Sequence, residues 1–291
     1  MIGSIKNIFK VAALSAICLF ATGCSDDESY NADSAISNYV PVEYSKMVEN
    51  ITTVIEDAGG REYMWSYDFK YDIQNRIQQI DGTMKYYYSG QLCNSTSTAK
   101  YRYNKALLKI EYVKEDVYPN KSAWNMTSKG AYQGAFNPNG TLANFYTFDC
   151  EYSGLLFTKA YVDGGDEYAL EYDRYNNLVR AYLIDVDHPA DSTLREYSYS
   201  PYKNKTNFDF ASFFGYNIAE RLVPANTSHN YAIFQLGAFG MFGSRSTNLP
   251  DGVWEWGDYV YENDNSNPID SFPIKYTNSD LKKTITIKYR E

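Results

Sequence analysis

Aromatic residues on alternate positions, each run closed by an Asn, Asp or Gly turn, recur along this chain and leave it little choice but pleated sheet. Tyr67-Asp68-Phe69-Lys70-Tyr71-Asp72 precedes Asn75-Arg76-Ile77, and Tyr101-Arg102-Tyr103-Asn104 precedes Leu107-Leu108-Lys109-Ile110. The grammar returns at Phe148-Asp149-Cys150-Glu151-Tyr152 before Gly154-Leu155-Leu156, and at Tyr168-Ala169-Leu170-Glu171-Tyr172-Asp173 before Asn177-Leu178-Val179. Side chains on a strand alternate between faces, so each run offers one apolar and one polar face, and the turn residues mark hairpins. With 30 Tyr and 15 Phe among 291 residues, the chain is rich in side chains that suit half-buried sheet surfaces.

The aromatic residues that end these runs, Tyr71, Tyr103, Phe136, Tyr152, Tyr172, Tyr199 and Tyr261, are separated by 32, 33, 16, 20, 27 and 62 residues. A solenoid or propeller needs a fixed period, so the spacing points to an all-β meander of hairpins with variable loops. Strands are also expected at residues 48–56 and 63–72, joined by Ala58-Gly59-Gly60, and at the closing Thr284-Ile285-Thr286-Ile287-Lys288-Tyr289. An antiparallel sheet of this size must curl to protect its edges, which predicts an open or partly closed barrel. Residues 209–222 carry Phe210, Phe213, Phe214, Ile218 and Leu222 at helical spacing, and the apolar stretch 231–242 is a second candidate helix. These pieces would fill or cap the curled sheet. Within the second, Gly237, Gly240 and Gly243 fit no nucleotide fingerprint and are read as points of close backbone packing beside Phe239 and Phe242.

The N-terminus reads as an address. Lys6 and Lys10 precede the apolar run Val11 to Phe20, and Ala21-Thr22-Gly23-Cys24 follows, giving a basic region, a short apolar core and a small-residue cleavage site. Cys24 resembles the lipidated cysteine of bacterial lipoproteins, which implies cleavage after Gly23 and a lipid anchor in the membrane. Ser25-Asp26-Asp27-Glu28 resembles the surface-export signal of Bacteroidales lipoproteins, and it also reads as a solvated acidic tether. Residues 1–23 are thus a signal peptide, 24–38 a tether and 39–291 a single folded domain, placed at the outer membrane and facing outward. Cys93 and Cys150 remain in that domain, either bridged or as two thiols.

Charge and composition exclude several classes. The formal net charge is -9, and losing Lys6 and Lys10 with the signal takes the mature chain to -11, against a nucleic-acid partner. Two histidines leave little room for a multi-histidine metal site, and no cofactor or metal is expected. The chain has no G-x-S-x-G, H-E-x-x-H, C-x-x-C or P-loop motif. Asp185, Asp187 and Asp191, and Asn263-Asp264-Asn265-Ser266-Asn267, offer oxygen ligands but lack the loop pattern of a calcium hand. Asp149, Glu151, Glu167, Glu171 and Glu255 fall on or beside strands, where alternation places Glu167 and Glu171 on a solvated face opposite Tyr168 and Leu170.

The repeated Tyr-x-Tyr-Asp grammar, the segment Phe242-Gly243-Ser244-Arg245-Ser246-Thr247-Asn248-Leu249-Pro250 and the closing Thr-x-Thr-x-Lys-Tyr strand resemble a Bacteroidales lipoprotein family of unknown function with a porin-like fold. That resemblance implies a large antiparallel sheet curled toward a barrel and supplies no function. It does not imply a membrane pore, because the charged strands lack the apolar bands of a lipid-facing barrel.

The densest exposed-aromatic candidate is Trp254-Glu255-Trp256 with Tyr259 and Tyr261, which could stack on sugars or peptides or pack as core. The expectation is a non-catalytic surface module that binds a glycan, peptide or partner protein through these residues or through an aromatic concave face. The alternatives are an envelope-assembly scaffold and, with least support, an enzyme acting on surface polymers.

Overall fold

The computed structural model describes residues 46–146, 148–162, 167–184, 193–214, 236–243, 245–253, 257–258, 260–263, 273–278 and 282–290. The signal peptide, Cys24 and the tether lie outside the described residues. The strands are β1 (Val48–Glu56), β2 (Glu62–Tyr71), β3 (Ile77–Tyr88), β4 (Gln91–Asn104), β5 (Leu107–Val117), β6 (Met126–Phe136), β7 (Leu142–Phe145), β8 (Phe148–Ser153) and β9 (Leu156–Val162). They continue as β10 (Glu167–Tyr172), β11 (Leu178–Ile184), β12 (Thr193–Lys203), β13 (Asn248–Val253), β14 (Gly257–Asp258), β15 (Val260–Asn263), β16 (Pro273–Asn278) and β17 (Lys283–Tyr289), with one short helix, α1 (Phe210–Phe214), before β13.

All 17 strands belong to one sheet. From β1 to β14 each strand pairs antiparallel with the next, β17 pairs with both β1 and β16, and β16 pairs with β15. The ladder therefore begins at β15 and ends at β14, which Tyr259 alone separates in sequence. The expected curled meander is present, with an unpaired seam: no pairing joins β14 to β15 among the described residues.

The recurring turn grammar has a common hydrogen-bond basis. Asp72 Oδ1 accepts the N–H groups of Gln74 and Arg76, both at 2.9 Å, and Asp173 Oδ1 accepts those of Tyr175 at 2.7 Å and Asn177 at 2.9 Å. Asp57 does the same for Gly59 and Arg61. Each turn then needs a left-handed residue, which Gly60 (φ 76°), Asn75 (φ 61°) and Asn176 (φ 65°) provide. Asn and Gly tolerate that conformation best. Tyrosines lock the turn exits: the hydroxyls of Tyr103, Tyr152 and Tyr199 donate to the carbonyls of Ile77, Leu142 and Leu178 at 2.8, 2.6 and 2.8 Å. An amphipathic ring can thus be buried while its polar tip is satisfied, a use to which phenylalanine could not be put.

The two faces of the sheet differ as alternation requires. On β4, Cys93, Ser95, Ser97, Ala99, Tyr101 and Tyr103 point inward and are buried, while Asn94, Thr96, Lys100 and Asn104 are exposed. The outer face carries cross-strand ion pairs, including Lys70–Asp81 at 2.7 Å, Arg102–Glu111 at 3.3 Å, Lys159–Glu167 at 2.7 Å and Arg180–Glu196 at 2.9 Å. Such a face suits water, since charges facing lipid are strongly destabilising.

One end of the curled sheet is filled by residues 204–214 and 236–243, described parts of the connection between β12 and β13. They lie where β1 begins: Lys46 bridges Thr206, and the Val48 N–H donates to Asn207 Oδ1 at 2.8 Å. Phe208 and Phe239 pack on Phe69 with ring centroids 5.6 and 5.2 Å away, and Phe242 stacks on Phe157 at 4.9 Å. Asp209 caps α1, its Oδ1 accepting the Ala211 N–H at 3.1 Å and its Oδ2 the Ser212 hydroxyl at 3.0 Å. Burial pushes its carboxyl above the usual range, although Arg245 and these bonds act against that.

The expected first helix is present as Phe210–Phe214, and residues 215–222 of its expected span lie outside the described residues. One expectation needs correction: of the second candidate helix, the described part, Leu236 to Gly243, forms consecutive turns. Gly240 (φ 72°) and Gly243 (φ 99°) break helical geometry, and a Cβ on Gly243 would collide with the Leu155 carbonyl. The close backbone packing expected at these glycines is therefore present. Cys93 and Cys150 are unbridged, the first buried and the second half-buried.

Candidate functional site

The opposite end of the sheet, where β3 turns into β4 and β5 leads to β6, combines inward polar residues with exposed aromatic ones. Register sets the inner rows: Tyr86 lies opposite Cys93, Met84 opposite Ser95 and Ser95 opposite Asp116, and Gly82 opposite Ser97 and Ser97 opposite Lys114. Because strand side chains repeat every second residue, Leu108, Ile110 and Tyr112 share their face with Lys114 and Asp116. The charged pair is consequently carried inward by the same alternation that buries the apolar core.

Lys114 Nζ and Asp116 Oδ2 are 2.8 Å apart, with side chains only 2% and 3% exposed. The Cys93 thiol donates weakly to Asp116 Oδ1 at 3.8 Å, and Lys114 Nζ lies 5.7 Å from the Tyr86 ring centre. Burial first, then Cys93, Tyr118 and Asp116, push the Tyr86 phenol far up, so it stays protonated at physiological pH. The Tyr118 phenol is also raised, chiefly by burial. Ser95 is 2% exposed, and its hydroxyl has no hydrogen-bond partner among the described residues. A buried hydroxyl left in this state costs about 1–3 kcal/mol.

Above this cluster stands an aromatic rim. Ser89 (φ 47°) and Gly90 (φ 74°) make the tight β3–β4 hairpin, which places Tyr88 at its tip, 60% exposed. Trp124, on a short 3₁₀ turn (Ser122–Trp124), is 41% exposed and meets Tyr88 and Tyr118 edge-on at 6.2 and 5.7 Å. Lys121 Nζ sits 5.7 Å from the Trp124 ring centre. A second aromatic group lies beside it, with Tyr63 stacked on Trp65 at 6.3 Å and edge-on to Tyr87 at 5.5 Å.

Hydrogen bonds of the segment bearing Trp124 close on itself: Tyr118 N–H to Asn125 Oδ1, Lys121 N–H to the Tyr118 carbonyl, and Trp124 N–H to the Lys121 carbonyl. Exposed rings braced edge-on, over buried donors and acceptors, can hold a flat apolar surface whose edge carries hydroxyls. Among the described residues no cluster of His, Cys, Asp and Glu is large enough to hold a metal ion.

The sequence-predicted site fares unevenly. Trp254, Trp256 and Tyr259 lie outside the described residues, as do Glu255 and both calcium-like clusters apart from Asn263. Tyr261 is in β15 opposite Tyr276, with its side chain outside the described residues. Asp149, Glu151 and Glu171 are exposed, and Glu167 and Glu171 pair with Lys159 and Arg180 at 2.7 and 3.3 Å, as alternation predicts for a solvated face. Sequence reasoning missed Ser95, Lys114 and Asp116. Their parity was the available signal, since each follows the register of buried residues on its strand.

Among solved structures, the chain is similar to a porin-like protein from Bacteroides uniformis, with 12% identity and a TM-score of 0.49 over 87% of this chain and 100% of that one. No family model matches the chain, and no curated protein does.

Proposed function

We propose that the protein is a non-catalytic surface lipoprotein, anchored through Cys24, that binds glycans across the aromatic rim of Tyr88, Trp124 and Tyr118. The observation that carries this reading is the pair of exposed rings, Trp124 and Tyr88, held edge-on at 6.2 Å at the sheet end whose interior is polar. Sugar rings present apolar C–H faces that stack on such side chains, and a braced aromatic loses little conformational freedom on binding. An outer face laced with ion pairs supports a domain standing in water on its tether.

The scaffold alternative gains little from the described strands, since the ladder leaves only short β14 and β15 with a single paired neighbour. The enzyme alternative would call for two inward carboxylates across a cleft. Asp116 is held by Lys114, and Asp209 caps a helix at the other end.

A glycan array probed with the full chain in detergent tests the proposal, with a Trp124→Ala, Tyr88→Ala variant as the control. Saturable binding that falls at least tenfold in the variant, with its melting temperature preserved, is expected. A wild type that binds nothing, or a variant that binds equally well, would overturn it.

A further inference from the structure

We propose that Ser95, Lys114 and Asp116 form a subsite beneath the rim that takes the terminal, uncharged sugar of a glycan. The inference rests on the glycan-binding reading and adds to it which end of the ligand enters and what charge it carries. Its starting point is the Ser95 hydroxyl, buried on the inner face directly opposite Asp116 and without a partner among the described residues. Alanine would fill the same position with no polar group to satisfy, so the unbonded hydroxyl costs folding free energy that a bound partner would return. Its neighbours on the same face of β4, Cys93 and Ser97, are also small.

The remaining chemistry suits hydroxyls. Lys114 has protons beyond the one directed at Asp116, and Asp116 has lone pairs beyond those facing Lys114 and the Cys93 thiol. Adjacent sugar hydroxyls both donate and accept, so a pair of them can bond Asp116, Lys114 and Ser95 together.

Charge selects among sugars. The cation and the carboxylate cancel, so a uronic acid or sulfated residue would bring an uncompensated negative charge beside Asp116 in a chain of net charge -9. The ammonium likewise disfavours a bound metal cation. Tyr118 is the gate: it adjoins Tyr86, Cys93 and Asp116 and touches Trp124, and the segment carrying both rings is hydrogen-bonded within itself. Parting the Trp124–Tyr88 contact and the Tyr118 hydroxyl's bonds to Tyr86 and Cys93 would let that segment swing outward without breaking a sheet bond.

Calorimetric titration of the full chain with neutral hexose oligosaccharides and with the same oligosaccharides ending in a uronic acid tests this, using Ser95→Ala and Trp124→Ala. Ser95→Ala should keep or raise the melting temperature and weaken neutral-sugar binding about two- to tenfold, the effect of one lost hydrogen bond between neutral groups. The uronic-acid forms should bind at least tenfold more weakly than the neutral ones. Wild-type affinity in Ser95→Ala, alongside weakened binding in Trp124→Ala, overturns the subsite while leaving the rim reading standing. Equal or tighter binding of the uronic-acid forms overturns the charge assignment. A wild type that binds none of the oligosaccharides overturns the subsite together with the rim.

Discussion

The two ends of the curled sheet are built from the same strands and filled in opposite ways. At the end where β1 begins, rings from the β12–β13 segment meet rings from the sheet, with Phe69, Phe208 and Phe239 in mutual contact. At the other end, β4 and β5 keep their inward alternation but place Ser95, Ser97, Lys114 and Asp116 on it. One end is closed by a covalently attached plug of apolar side chains, and the other holds buried polar groups beneath exposed rings. The contrast indicates that backbone pairing alone does not decide what fills the interior.

The comparison is sharpest if each end is damaged separately. Phe239→Ala should lower stability by about 3–5 kcal/mol, because the cavity lies among packed rings, and urea unfolding would register it. A loss below about 1 kcal/mol would mean that the plug is loosely held. Asp116→Ala should cost about 3–5 kcal/mol as well, for a different reason: it strands the Lys114 ammonium in the interior. The double variant Lys114→Met, Asp116→Leu should recover most of that loss, a recovery that no second substitution beside Phe239 would give. If the double variant is as unstable as the single one, the pair is structural and the polar end resembles the plugged end after all.

Acid and alkali should separate the ends further. Burial pushes the Lys283 amine, at the polar end, down to about 8 from an ordinary 10.5, so between those values the unfolded chain binds the extra proton. Stability should rise as pH climbs from about 8 toward 10 and should do so less in Lys283→Met. Asp209, at the plugged end, is shifted upward, so the folded chain holds the extra proton and its contribution grows as pH falls through its folded value. Asp209→Asn should remove that acid-side gain in a pH series of thermal melts.

Smaller effects belong to parts that serve neither end in particular. Asn75→Ala removes the short polar side chain that makes φ 61° tolerable and should cost about 1 kcal/mol. Lys70→Ala, on the ion-paired outer face, should change stability by about 0.5 kcal/mol or less.

Much of the sheet was legible in the sequence because alternation and turn chemistry are local. Asp72 with Asn75, and Asp173 with Asn176, announce their hairpins within a few residues. The filling was less legible. Residues 231–242 look helical by hydrophobicity, yet the left-handed Gly240 and Gly243 answer to contacts with distant chain, Gly243 to Leu155. For the polar cluster, Lys114 and Asp116 stand beside Glu111 and Glu115 in a run that reads as surface charge. Only the continued parity from Leu108 through Tyr112 assigns them inward. Trp124 has Tyr118 nearby in its own connection, but Tyr88 reaches it only once β3, β4 and β5 have paired.

The neighbour relations of β1 carry a consequence for how the chain is made. Its second partner is β17, the last of the described strands, joined along Val48 to Ile55. A chain whose β17 has not yet been made therefore exposes one edge of β1, and that edge invites other chains to pair with it. A stop codon ahead of Lys283 would leave the hazard permanent, with β16 bare as well, so truncated copies should be lost to aggregation even though nearly every hairpin they contain is intact.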